Sequence, residues 1–290
     1  MEWIERLNTT IEYIENHLTE KIDYEQLAKI AGCPSYHFQK TFLYMTNISL
    51  SEYIRKRRIS LAAVDLQTGE DKIIDIALKY GYESPTAFNR AFQAVHGIAP
   101  SLVRKKNVQI KSFPALKFTF SIQGLDELIF RIEKKDSFKI LGISSLLSKE
   151  LLENFVQIPK QWDKALNDGT LTQLYRLNNQ TPLGLLGVNI HQHEDWRYFI
   201  AVSSTNHNQN FEEYHIGSAT WAIFSGHGTN RTLQELQRRV ITEWLPTSGY
   251  EYANIPDIEV YLKADPNDAI YEYWLPIIKN KELCYGNYKY

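Results

Sequence analysis

Residues 73–92 read IIDIALKYGYESPTAFNRAF, and residues 23–42 read DYEQLAKIAGCPSYHFQKTF. Each stretch has a short Ala-containing helical pattern, then a turn marked by Gly, then a second pattern with Phe at positions i and i+4. Gly tolerates the left-handed backbone conformation that a tight turn after a helix requires, and Phe residues four apart share one helix face. The two stretches therefore predict two copies of a helix–turn–helix unit.

The residues around the two copies predict further helices. Before the first copy, apolar residues recur at helical spacing: Ile4, Leu7, Ile11, Ile14 and Leu18. Asp23 has the form of an N-cap for the first short helix, and Ser84 followed by Pro85 has that form for the last one. A longer helix over about 51–68 is expected to join the copies rigidly. Residues 1–106 are therefore predicted to form an all-α domain.

The charge of the chain is unevenly distributed. The net charge is −2, yet residues 26–106 hold 12 Lys and Arg against 6 Asp and Glu. A basic segment inside a nearly neutral chain is typical of a nucleic-acid-binding module fused to another domain. A solvated basic surface would give the same count, so charge alone does not decide between the two.

The pattern changes after residue 107. Short alternating runs at 117–122, 139–144, 184–190 and 198–203 are interspersed with helical stretches that carry Trp162 and Trp244. The order of one strand, one helix and two strands then occurs a second time. This arrangement predicts that residues 107–290 form an α+β domain with an antiparallel sheet and a pseudo-twofold internal repeat. A cleft between two such halves is a natural ligand site.

The first hundred residues carry a dense set of family residues. They are Leu27, Ala28, Ala31, Gly32, 36–40 and Phe42 in the first copy, and 75–77, 81–84, 88–92, Gly97 and Pro100 in the second. With these in register, residues 8–106 resemble the AraC/XylS family of bacterial transcription regulators. The resemblance implies two helix–turn–helix subdomains held by one long helix, which read successive major grooves of promoter DNA.

This sequence departs from that family pattern at two places. Cys33, Pro34 and Ser35 stand where the family usually has a Ser before the exposed helix, so the capping residue is left open. Asn47 stands where the family usually has Gly after that helix, and Asn tolerates the left-handed region better than most residues. Neither departure changes the expected fold.

The second half carries a looser set of family residues. They are Phe138, 141–143, Ile158, Pro159, Trp162, 186–188, Tyr198, 220–224, Gly226, Gly228, 244–246, Glu272 and 274–276. With these residues, the segment 108–290 is similar to the GyrI-like effector-binding domain that is fused to such readers in Rob-type regulators. The resemblance implies an aromatic-lined cavity between the two halves, with a carboxylate from the last strand.

Family position and helical geometry select six candidate DNA-contacting side chains. They are Tyr36, Gln39 and Lys40 in the first copy, and Thr86, Asn89 and Arg90 in the second. Amide side chains can pair with adenine in the major groove, and Lys or Arg can pair with guanine. Because half or more of protein–DNA hydrogen bonds go to the backbone, Lys40 and Arg90 could instead bind phosphates. The remaining alternative is that these residues are merely solvated.

The candidate ligand site centres on Glu272. On a strand, Glu272 and Trp274 share one face, and a carboxylate beside an indole suits a flat, apolar, cationic ligand. Further aromatic residues are predicted walls of the site: Trp162, Trp196, Tyr198, Trp221 and Phe224. The alternatives are that these rings are ordinary core residues and that Glu272 is exposed on the surface.

Several other kinds of site are not predicted. His191 and His193 could share a metal ion, but no third ligand is placed by spacing, so we expect no metal and no cofactor. No phosphate loop and no Ser–His–Asp arrangement are found. The chain has two distant cysteines, an acidic N-terminus unlike a signal peptide and no apolar run of membrane length, which together favour the cytoplasm.

The sequence hypothesis is a cytoplasmic, ligand-responsive transcription regulator that is not an enzyme. Residues 1–106 would bind a bipartite site on double-stranded promoter DNA, and residues 107–290 would bind a small-molecule effector. A regulator bound at a promoter can also contact RNA polymerase. The alternative hypothesis is that the second domain is an enzyme that hydrolyses or scavenges hydrophobic compounds and is tethered to a DNA-binding module.

Overall fold

The computed structural model describes residues 3–105, 108–119, 127–192 and 195–279. The chain forms two compact units, Met1–Ile122 and Gln123–Tyr290. The first unit thus continues beyond residue 106, where the sequence pattern places the end of the first domain. Of the run 117–122, residues 117–119 are not a strand, and 120–122 lie outside the described residues.

The first unit is all-α, as predicted from the sequence. Its helices are α1 Trp3–Asn16, α2 Tyr24–Ala31, α3 Ser35–Thr46, α4 Leu50–Thr68, α5 Ile73–Lys79 and α6 Pro85–His96, followed by a 3₁₀ turn, Pro100–Leu102. The two helix–turn–helix copies are α2–α3 and α5–α6, and α4 joins them. In the described part of the chain, no helix combines the length and the apolar character needed to cross a membrane.

Local chemistry sets the helix ends. Asp23 accepts a hydrogen bond from the Glu25 amide (2.9 Å) at the start of α2, and Ser84 accepts one from the Ala87 amide (3.4 Å) at the start of α6. Pro34 occupies the N-cap of α3 without a side-chain hydrogen bond, so α3 begins at Ser35. Asn47 ends α3 in the left-handed region, with φ at 58°. Asn47 therefore takes the role that Gly has in the family pattern.

The two subdomains have separate hydrophobic cores that meet at α4. The first core contains Leu50, Tyr53 and Ile54 from the start of α4, and the second contains Ile59 and Leu66 from its later turns. Helix α4 therefore presents different faces to the two cores along its length. It is the continuous element that holds the two helix–turn–helix copies in one unit.

Residues 108–118, which we name the strap, follow the last helix of this unit. They form no helix or strand. Ile110 and Phe113 of the strap pack against the second core, and Leu116 and Phe118 pack with the first. The strap therefore belongs to the first unit by its packing.

The second unit is an α+β domain built on one antiparallel sheet. The strands are β1 Phe130–Lys135, β2 Phe138–Leu146, β3 Leu185–Gln192, β4 Asp195–Ser203, β5 Glu212–Ile216, β6 Ala219–Gly228, β7 Tyr250–Tyr252, β8 Ile258–Lys263 and β9 Ala269–Lys279. The helices are α7 Leu151–Asn167, α8 Thr170–Leu177 and α9 Asn230–Arg239, and α9 continues into a π-helical turn, Val240–Trp244, and a 3₁₀ turn, Leu245–Thr247. The strand order is β1-β6-β9-β8-β3-β4-β2-β5, with β7 paired to β9.

The two faces of this sheet have different surroundings. Helix α8 contacts β3 and β4, and α9 contacts β6 and β9, so the helices cover one face. The opposite face lies on the inside of a curl, as one connection shows. A two-residue turn joins β5, at one edge of the sheet, to β6, next to the opposite edge. The sheet must therefore curl until these strand ends meet, and a large apolar cluster that includes Trp221 and Trp274 fills the inside of the curl.

The strand order bears on the predicted internal repeat. Strands β2, β4 and β3 occupy one half of the sheet and β6, β9 and β8 the other, and β3 pairs with β8 in the middle. In both sets of three the strand that comes first in the sequence is outermost. The strand that comes third lies next to it, and the strand that comes second lies at the centre. The pseudo-twofold relation between the halves stays a prediction.

Candidate functional site

Helix α6 presents the second set of candidate DNA-contacting side chains on an open surface. Phe88 and Phe92 are buried in the second core. Thr86, Asn89 and Arg90 lie on the opposite side and are exposed. Their i, i+3, i+4 spacing puts them on one helix face. These three side chains therefore form one solvent-exposed polar face of α6.

Gln93 extends this open surface of α6 and was missed in the sequence analysis. It is exposed, and its Nε2 donates a hydrogen bond to Oδ1 of Asn89 (3.1 Å). Its spacing of three and four residues from Arg90 and Asn89 was the signal that could have identified it. The side-chain amides of Asn89 and Gln93 thus lie next to the guanidinium of Arg90 on the exposed surface of α6.

Helix α3 differs from α6 in the exposure of its polar side chains. Gln39 and Lys40 are only 6% and 5% exposed, and Tyr36 is half-buried. Gln39 and Lys40 are therefore far less exposed than Thr86, Asn89 and Arg90 of α6. Lys40 Nζ lies 5.7 Å from the Tyr36 ring centre, and Gln39 Nε2 donates to Ser35 Oγ at 3.4 Å. Both of these contacts lie within α3.

The basic run 55–58 on α4 divides between structural and surface roles. Arg57 forms an ion pair with Glu15 (2.6 Å), and the hydrogen bond that Arg57 donates to Glu15 raises the pKa of Arg57. Arg58 donates to the backbone oxygens of Leu18 (2.8 Å) and Glu20 (2.6 Å). Two of the four charges thus stabilise the unit internally, and Arg55 is exposed at the surface.

The second unit contains a polar cluster on its helix-covered face, centred on Glu259 of β8. Tyr198 Oη and Tyr261 Oη donate to Glu259 Oε2 at 2.9 Å and 3.1 Å. Gln237 Nε2 of α9 donates to Glu259 Oε1 at 2.7 Å. Trp162 Nε1 of α7 donates to Tyr198 Oη at 3.0 Å. We call these five residues the Glu259 cluster.

Gly187 provides the space in which this cluster is packed. Gly187 of β3 pairs with Ile200 of β4 and with Glu259 of β8. A Cβ atom at this position would collide with Tyr198 Oη and with Glu259 Oε2. The close approach of the phenol and the carboxylate above β3 therefore requires a residue without a side chain.

Burial determines the protonation of the two phenols. Removal from water raises the pKa of Tyr198 and Tyr261 well above the usual value, and the negative charge of Glu259 raises both further. The phenols thus stay protonated at neutral pH and act as hydrogen-bond donors to the carboxylate. The hydroxyl and amide groups that donate to Glu259 at these distances are themselves neutral.

Glu272, the carboxylate selected from the sequence, lies elsewhere. Arg131 binds it through both terminal nitrogens (2.7 and 3.2 Å), and Trp274 Nε1 donates to it at 2.8 Å. Successive residues of a strand point to opposite faces, and in the sheet register Val260 pairs with Glu272, whereas Glu259 pairs with Tyr273. Glu272 therefore lies on the face opposite the Glu259 cluster.

The predicted ligand residues thus do not form one site, which corrects the sequence analysis. Trp162, Trp196, Tyr198 and Phe224 belong to the helix-covered side, whereas Glu272, Trp221 and Trp274 line the inside of the curled sheet. Only two of the seven, Trp162 and Tyr198, are members of the Glu259 cluster.

Three of the other four rings, Phe224, Trp221 and Trp274, have core partners instead. Phe224 packs between Phe130 and Trp244, with ring centres at 5.4 and 5.0 Å, and Trp221 packs on Trp274 at 5.7 Å. Trp196 has Lys149 Nζ over its ring at 4.5 Å. The ring contacts of Phe224, Trp221 and Trp274 favour the alternative that these three are ordinary core residues.

The candidate metal pair lies partly outside the described residues. His191 is described and contacts the Trp196 ring edge at 5.3 Å, but His193 is outside. Among the residues that the structure describes, no group of three or more His, Cys, Asp or Glu side chains is placed to hold a metal ion.

Comparison with known proteins assigns both units. A family model described as an integron-associated effector binding protein matches residues 131–277, and a helix-turn-helix domain model matches residues 27–106. The chain is 42% identical over 92 residues to the HTH-type transcriptional activator AarP of Providencia stuartii, covering 32% of this chain and 68% of that protein. It is 38% identical over 100 residues to the regulatory protein SoxS of Salmonella typhimurium, covering 34% and 94%.

Among solved structures, that of SAV2435 bound to tetraphenylphosphonium matches 55% of this chain and 98% of its own, with 17% identity and a TM-score of 0.47. The first family model spans half of the present chain, and the DNA-binding relatives are matched over most of their length. The chain therefore belongs to the AraC family of helix–turn–helix transcription regulators, and its second half is a GyrI-like, integron-associated effector-binding domain.

Proposed function

We propose that this AraC-family regulator reads a bipartite promoter element with α3 and α6, and that its second unit binds an apolar aromatic cation at the Glu259 cluster. The observation that carries the ligand proposal is the carboxylate of Glu259, which accepts hydrogen bonds from buried phenols close to the indole ring of Trp162. The protein acts by binding this effector and not by turning it over.

The geometry of the first unit supports reading of two grooves. Helix α4 has 19 residues, which gives a length of about 28 Å at about 1.5 Å per residue. Successive major grooves on one face of DNA lie about 34 Å apart. A single helix of this length is thus suited to hold two reading helices near that spacing. Thr86, Asn89 and Arg90 would contact bases or phosphates from α6, and Tyr36, Gln39 and Lys40 from α3.

The chemistry of the Glu259 cluster supports a cationic effector. A cation near Glu259 would pair with the carboxylate in surroundings that already raise the pKa of Tyr198 and Tyr261 by burial. The indole of Trp162 would add a cation–π contact. The ring edge of Trp162 lies against Tyr261, with centres 4.9 Å apart, so aromatic surface is present on two sides of the carboxylate.

The binding test uses two probes of the same shape and opposite charge, tetraphenylphosphonium and tetraphenylborate. The wild-type protein is expected to bind the phosphonium and to bind the borate far more weakly, as followed by tryptophan fluorescence. Glu259→Gln should weaken phosphonium binding about tenfold or more, because an ion pair near a protein surface contributes several kcal/mol at an effective dielectric constant of about 20.

Glu272→Gln is the matched control, because it removes a carboxylate that Arg131 and Trp274 already bind. Its affinity for the phosphonium should equal that of the wild type. Equal loss in both variants, or no loss in Glu259→Gln, would overturn the assignment of the ligand site.

The DNA test is selection of the full chain on a randomised duplex pool at a stated salt concentration. Enrichment of a site with two parts about one helical turn apart is expected. Weak, salt-sensitive binding without enrichment would refute the bipartite reading. For regulation, the effector must bind the DNA-bound and free states with different affinity, so operator affinity is measured with and without tetraphenylphosphonium.

A further inference from the structure

The strap (residues 108–118) is hydrogen-bonded to the helices of the first unit along its whole length. The bonds join Gln67 Nε2 to Val108 O (3.2 Å), Lys111 N to His96 Nδ1 (3.2 Å), Phe113 N to Ser60 Oγ (3.0 Å), Leu116 N to Tyr53 Oη (3.1 Å), Phe118 N to Asn8 Oδ1 (2.8 Å) and Asn8 Nδ2 to Phe118 O (3.0 Å), and Arg57 Nη1 also donates to Phe113 O. Side chains from the helices thus take the place of a neighbouring strand.

The partners on α4 form one stripe. Tyr53, Arg57, Ser60 and Gln67 are separated by four, three and seven residues, a spacing that keeps them on one helix face. The strap meets them in reverse order, so it runs antiparallel to α4. The end partners on α4, Tyr53 and Gln67, are 14 positions apart and so span about 21 Å, and residues 108–116 of a nearly extended chain span about 26 Å. The two lengths are close enough for continuous contact.

The strap also joins the two hydrophobic cores. Phe113 packs against the second core, and Phe118 is buried in the first. The Phe118 ring meets Phe42 of α3 edge-on at 6.2 Å. At the other end, Lys111 bonds His96 of α6, whose ring lies 4.4 Å from Phe92. The strap therefore touches the buried side of both reading helices.

We infer that the strap fixes the orientation of α3 relative to α6 and so sets the spacing at which the two parts of a DNA site are read. Without the strap, α4 is the main covalent and packed connection between the two cores. The strap is a second connection between the two cores and runs antiparallel to α4. Two connections restrict bending and twisting between the subdomains more than one does. Asn8, Ser60, His96 and Phe118 are then positioning residues for recognition. This inference rests on the bipartite reading proposed above.

The DNA test compares full-chain variants on the selected operator and on the same operator with one base pair inserted between its two parts. The preference is the ratio of the affinities for the native and the lengthened operator. In Phe118→Ala and Asn8→Ala this ratio should fall about threefold or more, whereas the affinity for a duplex with one part alone should be unchanged. Phe118→Leu should retain most of the wild-type preference, because its smaller apolar side chain still fills most of the space in the core. Thr119→Ala, an exposed neighbour, is the control.

A second measurement needs no DNA. Spin labels are attached at Glu12→Cys and Ala94→Cys, two exposed positions in different subdomains, after Cys33→Ser and Cys284→Ser. The distance distribution should be narrow in the otherwise wild-type chain and clearly broader with Phe118→Ala, while circular dichroism shows the helices intact. An unchanged width would overturn the role of the strap. A wild-type chain without any spacing preference, but with the expected broadening, would instead refute the bipartite reading.

Discussion

Gly187→Ala provides a stringent test of the Glu259 cluster, because it adds a single methyl group at the centre of the sheet. The new Cβ would collide with Tyr198 Oη and Glu259 Oε2. Gly187 lies within β3, paired on both sides, and does not have a positive φ. An Ala backbone is therefore unstrained there, and the whole effect comes from the space that the cluster occupies.

The magnitude follows from the contacts that must break. To make room, Tyr198 must move away from both of its hydrogen-bond partners, Glu259 (2.9 Å) and Trp162 (3.0 Å). Overpacking of a tight interior costs about 1–3 kcal/mol, and a hydrogen bond to a charged group contributes about 1.5–3 kcal/mol. Partial relaxation makes the terms less than additive, so we expect about 2–4 kcal/mol loss in the free energy of unfolding of the second unit.

Urea denaturation of the full chain, followed by tryptophan fluorescence, measures this loss. Gly217→Ala is the matched control, because its Cβ would meet only Ile255 Cδ1 at 3.8 Å, an ordinary contact. Tetraphenylphosphonium affinity should fall with Gly187→Ala and stay constant with Gly217→Ala. A Gly187→Ala protein with the stability and affinity of the control would refute the packing described for the cluster.

Two further predictions concern the first unit. Arg90→Ala should cost about 1–3 kcal/mol in binding to the selected operator, measured by gel shift against a scrambled duplex; an equal loss on both duplexes would assign Arg90 to a phosphate. Burial lowers the pKa of His96 below the usual 6.5. Below about pH 6.5 the His96 ring therefore binds a proton more readily in the unfolded chain than in the folded unit. The free energy of unfolding should then fall as the pH drops below about 6.5. The urea midpoint between pH 7.5 and 5 tests this, and His96→Gln should flatten the decline; an unchanged slope in that variant would contradict it.

The pH prediction has a structural counterpart in the strap. The Lys111 amide can only donate, so His96 Nδ1 must accept, and the proton of the neutral ring lies on Nε2, toward Ile59 O at 3.3 Å. Protonation would place a second N–H against the Lys111 amide. The same event that charges the ring therefore removes one hydrogen bond of the strap.

The helix–turn–helix copies could be predicted from sequence because their signals are local. Asp23 and Ser84 cap helices through bonds to amides two and three residues away. Gly32 and Asn47 end helices through their own backbone angles. Each such signal is complete within a few residues of chain, so it needs no knowledge of the rest of the fold.

The strap shows where a local signal is incomplete. Alternating apolar residues at 116, 118 and 120 predict an extended chain, and residues 116–118 are free of helix. The period of two does not specify what an extended segment pairs with. Here the partners are side chains of Asn8 and Tyr53, which lie 110 and 63 residues away in sequence. The strand assignment was wrong for 117–119 because the partner is a helix surface.

The choice between Glu259 and Glu272 depends on long-range register. Both acids alternate with aromatic residues, Glu259 with Tyr261 and Glu272 with Trp274. What separates them is Arg131, 141 residues from Glu272, which binds that carboxylate, and Gly187, which makes space beside the other. Neither relation is visible in a pattern within one strand. The alternation in 258–263 was nevertheless available as a signal for Glu259 and Tyr261.

The position of the strap constrains how an effector could act on DNA binding. The second unit begins at Gln123, five residues after Phe118, and the strap contacts Phe42 of α3 and His96 of α6. The polypeptide that leads into the second unit therefore passes through the strap, which packs against α3 and α6. A ligand that binds equally well with the strap docked or undocked would leave operator affinity unchanged, however tightly it bound. Regulation along this route therefore requires that the effector alter the free energy of docking of residues 108–118, and the width of the spin-label distance distribution should then change when tetraphenylphosphonium is added.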